Sequence, residues 1–451
     1  MSKTRDMTEG SPLRLMLAFS LPLFLANALQ VFYVIADSAI VGRMLGVASF
    51  AAVGATMSML LLITMTVQAV THGFGIVLAQ RFGAKDEEGL RSSFIMAVYF
   101  ISALGVMIGL GGIFGSRPLL NVLNTPETLM PEAVTYLGII MGGMGITCVN
   151  FLSQAMLRAV GDSKTPMIAI ISSSLLNIGL SIALVRPFGI AGPAAAMLLA
   201  NGASALYCFI ALYKSKILKN LNFRWHDPSA KALLRMGLPL GLRNVVIQFG
   251  GLVMQRYIND FGVDFIAGVA IAKRMYTFIL IAALTLEAAI ATFVAQNFGA
   301  GKLERVKLGV RTGLYLMMGS AVLIMAVTFL TGPSILRAMF TGDPATITAV
   351  LDIGVWQLTW MVLGLPVVYL IFLYRPALEG IGKPFIPTLS GFAELAFRIL
   401  AIIVITPLFG GWGVILADQI GWVGAAVLLA AAYYITLRKN DTQITLPADS
   451  S

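Results

Sequence analysis

Twelve long apolar runs, separated by short polar breaks, make up most of the chain. They lie near residues 13–41, 50–79, 92–114, 131–156, 166–186, 191–213, 236–258, 264–296, 308–331, 347–374, 386–408 and 412–437. About 20 apolar residues suffice to cross a bilayer. The pattern therefore predicts an all-α membrane protein with twelve transmembrane helices. Gly, Pro, Asn or charge marks the breaks, as in Arg81-Phe-Gly-Ala-Lys85 and Gly161-Asp-Ser-Lys164. The longest polar interval, residues 214–235, reads KSKILKNLNFRWHDPSAKALLR. It is basic and partly amphipathic, and is read as a cytoplasmic linker lying on the inner membrane surface. It would join an N-lobe, residues 1–213, to a C-lobe, residues 236–451. His226 lies in it and is read as a solvated loop residue.

The two sides of the linker resemble each other. Ala79-Gln-Arg-Phe-Gly-Ala84 closes the second run, and Ala295-Gln-Asn-Phe-Gly-Ala300 closes the eighth, 216 residues later. Ser20-Leu-Pro-Leu23 opens the first run and Gly237-Leu-Pro-Leu240 the seventh, 217 residues later. Leu157-Arg-Ala-Val-Gly161 with Pro166 matches Leu378-Glu-Gly-Ile-Gly382 with Pro387 at a spacing of 221, as does Phe188-Gly189 with Phe409-Gly410. Such matches, in order and at nearly constant spacing, argue for two pseudo-symmetric six-helix bundles. An even number of spans gives both bundles the same orientation, as in parallel-repeat transporters.

A few polar side chains interrupt the apolar runs. Asp37 stands near the far end of the first run. A charge within a membrane segment costs about 2.5–3.5 kcal/mol on insertion scales, which makes Asp37 a functional candidate. The alternative is a cap at the outer interface, since Gly42-Arg43 follows closely. Gln30, Tyr33 and Asp37 are spaced three and four apart and share one helix face. Pro22, on the same run, removes a backbone donor and invites a bend. Glu287 lies at membrane depth in the eighth run. It would either face cationic substrates or hold the fold through a partner such as Arg256 or Lys273. Glu394 and Arg398, at i and i+4 in the eleventh run, are placed to form a structural ion pair. Arg243, early in the seventh, is read as snorkelling to the inner interface.

Composition changes the picture little. Of 451 residues, 58% are hydrophobic and 12% charged, against about 25% charged in soluble domains. The formal charge of +10 fits the concentration of Lys and Arg in cytoplasmic loops rather than nucleic-acid binding. With the N-terminus inside, about 22 basic residues fall on the inner side against about 7 outside, so both termini are expected in the cytoplasm. Cys148 and Cys208 sit in apolar runs and read as packing residues. No Walker loop, dinucleotide glycine pattern or paired metal ligands stand out. With only His72 and His226, no nucleophile–base pair is evident. An enzyme is not expected, and the energy source would be an ion gradient.

The motifs together resemble the multidrug and toxic compound extrusion (MATE) family over about residues 12–437. They are Asp37-Ser-Ala-Ile-Val-Gly-Arg-Met-Leu-Gly46, the Gln-x-Phe-Gly-Ala pair, Arg158-Ala-Val-Gly-Asp162 with Thr165-Pro166, and Asn177-Ile178. The first-helix Asp is similar to that of the prokaryotic DinF-like branch. The acids expected of NorM-like members in the seventh and tenth segments are missing. The resemblance implies a V-shaped pair of six-helix bundles around a central cavity. It also implies export of amphiphilic, often cationic compounds across the inner membrane by alternating access. Its coupling site would be Asp37, Asn177 and Ser181, where an archaeal-type pattern has a second Asp in place of Ser181. The substrate cavity would take in Gln30, Tyr33 and Glu287, with Pro22 as hinge. Loss of the second acid thins a sodium cage, since hard cations favour several oxygens, and tilts the expectation from Na+ towards H+. No cofactor other than that ion, no metal and no nucleic acid is expected. Partners would be small substrates and membrane lipids, with the chain acting as a monomer. A lipid-linked flippase of the same broader superfamily is the alternative.

Overall fold

The computed structural model describes residues 5–215, 223–338 and 344–445. Among these are fourteen α-helices and no strand. They are α1 (Pro12–Leu45), α2 (Val47–Gly83), α3 (Glu87–Val122), α4 (Met130–Gly142), α5 (Met144–Ala159), α6 (Lys164–Phe188) and α7 (Ala191–Lys214). There follow α8 (Asp227–Ile258), α9 (Val263–Gly299), α10 (Leu303–Ala338), α11 (Pro344–Leu363), α12 (Leu365–Gly380), α13 (Phe385–Phe409) and α14 (Gly411–Thr445). Ten are long and apolar enough to cross a membrane, and the pairs α4–α5 and α11–α12, bent by 46° and 47°, bring the spans to twelve. The twelve-span all-α fold expected from the sequence is the one present.

The duplication reaches into backbone detail. Helices α2 and α9 each run 37 residues and α3 and α10 each 36, at a spacing of 216. Helices α5 and α12 run 16 residues and α6 and α13 run 25, at a spacing of 221. The breaks match as well. Gly46 and Gly262 have φ of 92° and 88°, and Gly189 and Gly410 have 56° and 58°. A side chain is strained at such positive φ, so glycine there fixes where one helix stops and the next starts. Not every end is glycine-made. Asp86 caps α3 by accepting from Gly89 N at 2.8 Å. Asp162 accepts from Thr165 N at 3.0 Å and from Thr165 Oγ1 at 2.6 Å, starting α6.

The chain forms two compact units. The first is Met1–Gly241 with Ala295–Lys302, and the second is Leu242–Val294 with Leu303–Ser451. The division between these units falls within α8 and near the end of α9. Residues 216–222 of the expected linker lie outside the described residues. Its last part is already helix, since α8 starts at Asp227 and is capped by His226, whose Nδ1 accepts from Ser229 N at 3.3 Å.

Close packing explains why α8 starts in the first unit. A methyl group on Gly73 of α2 would lie 2.8 Å from Gly237 Cα, and one on Gly237 would lie 2.5 Å from Phe74 Cε1. The core of this unit gathers Phe74, Phe94, Met156, Leu233 and Leu240, all at most 5% exposed. The C-terminal end of α9 crosses α2 equally closely. A side chain on Gly83 would overlap the Gln296 carbonyl, and one on Gly299 the Gln80 carbonyl. Both crossings lie in the Gln-x-Phe-Gly-Ala pair. In the second unit, Met254, Phe265, Ile402 and Val414 form a separate apolar cluster.

Candidate functional site

In the first unit α1 and α6 pack together and bring Asp37 to Ser181. Ser181 Oγ donates to Asp37 Oδ1 at 3.0 Å. Asn177 sits one helical turn earlier on α6 and completes the cluster. Its amide is satisfied only with the nitrogen towards Asp37. It then donates to Asp37 Oδ1 at 3.3 Å and to Ser181 Oγ at 3.1 Å, while its oxygen accepts from Met197 N at 3.1 Å and Tyr33 Oη at 3.2 Å. Every hydrogen thereby finds an acceptor. Asn177 and Ser181 are 2% and 0% exposed, and Asp37 is half-buried. Among the described residues no Lys or Arg pairs with Asp37, and no cluster of His, Cys, Asp or Glu could hold a metal ion.

This is a lone carboxylate satisfied by neutral donors. Such donors stabilise its charge without neutralising it. A proton on such a carboxylate would turn it from acceptor to donor.

Several expected residues join the cluster and others do not. Tyr33 belongs to it through Asn177. Gln30 is exposed on α1, and among the described residues no hydrogen bond ties it to Asp37. Helix α1 runs unbroken through Pro22. Two groups were not expected. Tyr136 on α4 is 5% exposed and within electrostatic reach of Asp37. Met197 on α7 contributes only its backbone N–H. Neither carries a local sequence signal, since a tyrosine in an apolar run or a backbone amide looks like ordinary packing.

The second unit holds a different arrangement. Glu394 and Arg398 pair at 3.0 Å, as their spacing implies, but they are the centre of a larger network. Arg375 binds Glu394 at 2.7 Å, and Arg398 Nε lies 2.8 Å from Asp418 Oδ1. Arg243 pairs with Glu379, which is 0% exposed. Arg243 is itself buried and does not snorkel. Its chain lies against α13, where a methyl group on Gly391 would come within 2.9 Å of Arg243 Cγ. Glu287 is half-buried and its charge acts on Arg375, whereas Arg256 pairs with Asp260 near the end of α8.

The sequence model of the MatE family matches residues 22–183 and 239–406, most of both six-helix units. The chain belongs to the MatE family. This transporter is 32% identical over 308 residues to a probable multidrug resistance protein, YpnP, of Bacillus subtilis, covering 67% of this chain and 69% of the relative. It is 24% identical over 416 residues to the multidrug export protein MepA of Staphylococcus aureus, covering 90% of each. Its fold matches that of a solved MATE protein in a bent conformation with a TM-score of 0.89 at 20% identity, covering 98% of this chain and 99% of the other.

The repeat shows how the two sites of this MatE transporter differ. At the spacing of 221, Arg398 stands where the first unit has Asn177, and Asp418 where it has Met197. One unit therefore carries a single acid among neutral donors, and the other carries interlocked acids and bases at matching positions.

Proposed function

We propose that this MatE transporter is a secondary efflux antiporter. It exports small amphiphilic, often cationic compounds in exchange for protons, and Asp37 carries the coupling. The observation that carries the reading is the Asp37 cluster: an acid held by Ser181 Oγ at 3.0 Å and the Asn177 amide at 3.3 Å, with no basic partner among the described residues. Multidrug resistance and export in the names of YpnP and MepA support the substrate class.

In this reading protons and substrate use the transporter in turn. An ionised Asp37 accepts both donors, and a protonated one becomes a donor itself. Proton binding then favours one conformer only to the extent that it is tighter there. Pro22 supplies the bend through which α1 responds, in keeping with a solved relative described as bent. Gln30, Tyr33 and Glu287 face the substrate. Residues 1–213 and 236–451 act as the two lobes of an alternating-access cycle, in the inner membrane, with both termini cytoplasmic. The transporter works as a monomer with no cofactor beyond the coupling ion. Sodium is the second reading, through the oxygens of Asp37, Ser181 and Tyr33.

Purified protein in liposomes tests all of this. A proton gradient should drive uptake of a cationic dye into inside-out vesicles, and a sodium gradient of equal size should not. Sodium-driven uptake would move the coupling to sodium. Scrambling of a labelled lipid without dye transport would favour the flippase alternative.

A further inference from the structure

Two of the motifs, Gln-x-Phe-Gly-Ala and Arg-Ala-Val-Gly-Asp, have residues that play no part in the Asp37 cluster. The structure shows what they hold. Residues 5–8 run across the ends of α5 and α9 and are seated there by side chains and backbone of both. Arg5 N donates to Val160 O at 3.1 Å. Met7 N donates to Gln296 Oε1 at 2.8 Å, and Asn297 Nδ2 donates to Met7 O at 3.1 Å. Lys302 Nζ reaches Thr8 O at 3.0 Å and Thr8 Oγ1 at 3.3 Å. Gln296 is shared, since its Nε2 also donates to Ala159 O at 2.7 Å. Gly161 has φ of 80°, and a side chain on it would overlap the Arg5 carbonyl. Met7 is 0% and Thr8 3% exposed, in a segment outside any helix.

This is a fitted seat, and its place gives it consequence. It pins the last turn of α9 beside the crossing of Gly83 with Gln296 and of Gly299 with Gln80. Helix α9 contributes to both units, so an alternating cycle has to be accommodated along it. We infer that residues 5–8 are a releasable strap: docked, they hold the cytoplasmic end of α9 against α5, and they must leave the seat once in each transport cycle. The inference rests on the alternating-access reading above. A strap of four residues held by hydrogen bonds can leave without breaking a helix.

The test uses the full chain with Cys148 and Cys208, both buried, replaced by alanine, and Thr8→Cys with Lys302→Cys added. A short bis-methanethiosulfonate should join the two cysteines and abolish dye export, and a reductant should restore it. In Thr8→Cys alone, an impermeant maleimide should label slowly at rest and at least tenfold faster when dye and a proton gradient are present. Failure to cross-link would show that the strap does not dock. Full export by the cross-linked protein, or labelling indifferent to dye and gradient, would show a permanent structural strand and overturn the inference. A protein that exports nothing in any form would sink the export reading alone, because dye-dependent labelling still reports whether the strap leaves its seat.

Discussion

Asp37→Asn separates coupling from folding. The amide keeps the size of the carboxylate and one acceptor oxygen, which can take the bonds from Ser181 Oγ and the Asn177 amide now made at 3.0 and 3.3 Å. Hydrogen bonds to a charged group are worth about 1.5–3 kcal/mol each and neutral ones about 0.5–1.5. The variant thus loses on the order of 2 kcal/mol over two bonds. Removing a half-buried charge returns part of that, because an ion in an apolar setting carries a desolvation penalty of several kcal/mol. Net stability should change by roughly 1 kcal/mol or less. Transport should change far more. Exchange of one proton for one dye molecule across a pH difference of one unit supplies about 1.4 kcal/mol, enough for a tenfold dye gradient. An amide binds no proton in the working range, so the Asp37→Asn protein should bring the dye only to equal concentrations. Proteoliposomes with an imposed pH step and a fluorescent cationic dye read this directly, and detergent melting curves confirm the fold. A tenfold dye gradient built by Asp37→Asn would refute the assignment, however well the geometry fits.

Four further outcomes follow. Glu394→Ala leaves Arg375 and Arg398 short of their shared acid, and breaking a buried pair costs about 3–5 kcal/mol; a melting temperature equal to that of the unaltered protein would show that this network does not hold the second unit. Ser181→Asp puts a second carboxylate 3.0 Å from where the first now accepts and should make dye transport respond to sodium; no response at any sodium concentration would count against the two-acid account of sodium binding. Pro22→Ala should still bind dye but export it poorly, with a flatter pH response, and a spin-label distance between α1 and α6 that does not vary with pH in the unaltered protein would remove the bending role. Arg224→Cys, exposed just before α8, should react with an impermeant thiol reagent from the cytoplasmic side only; labelling of intact cells from outside would invert the proposed topology.

The spans were legible in the sequence because a bilayer imposes a length, and apolar runs of that length have few other uses. The duplication was legible because glycines at fixed breaks and crossings cannot be exchanged freely. Gly83 and Gly299 recur in one motif because each lies against the other helix of the same crossing. Asp37 could be picked out because a polar residue in an apolar run is conspicuous, its α6 partners Asn177 and Ser181 only through the family resemblance, and Glu394 with Arg398 because i,i+4 partners are visible along one helix. What stayed hidden lies between helices. Arg375 and Asp418 reach Glu394 and Arg398 from α12 and α14, and no spacing along the chain announces that. Arg243 looked like an interfacial residue from its place near the start of a run. Gly391 on α13 makes the room that buries it instead. Tyr136 carries no charge and sits where any large apolar residue would also fit.

The unlike chemistry of two like scaffolds bears on where coupling can live. Helices α6 and α13 have the same length, and the first places Asn177 where the second places Arg398. Around Arg398 each charge is held by an opposite one: Glu394 by Arg398 and Arg375, and Asp418 by Arg398. Removing either acid would strand buried guanidinium charge, a loss of the order of 3–5 kcal/mol for a broken buried pair. Around Asp37 the partners are a hydroxyl and an amide, neither of which becomes an unpaired charge when a proton arrives, and the Tyr33 phenol bonds the amide oxygen behind them. The first unit therefore holds one carboxylate among neutral donors, and the second holds charges that satisfy one another. That difference in chemistry, on helices of matching length, is the physical ground on which we propose proton exchange at Asp37 and a structural role at Glu394 and Arg398.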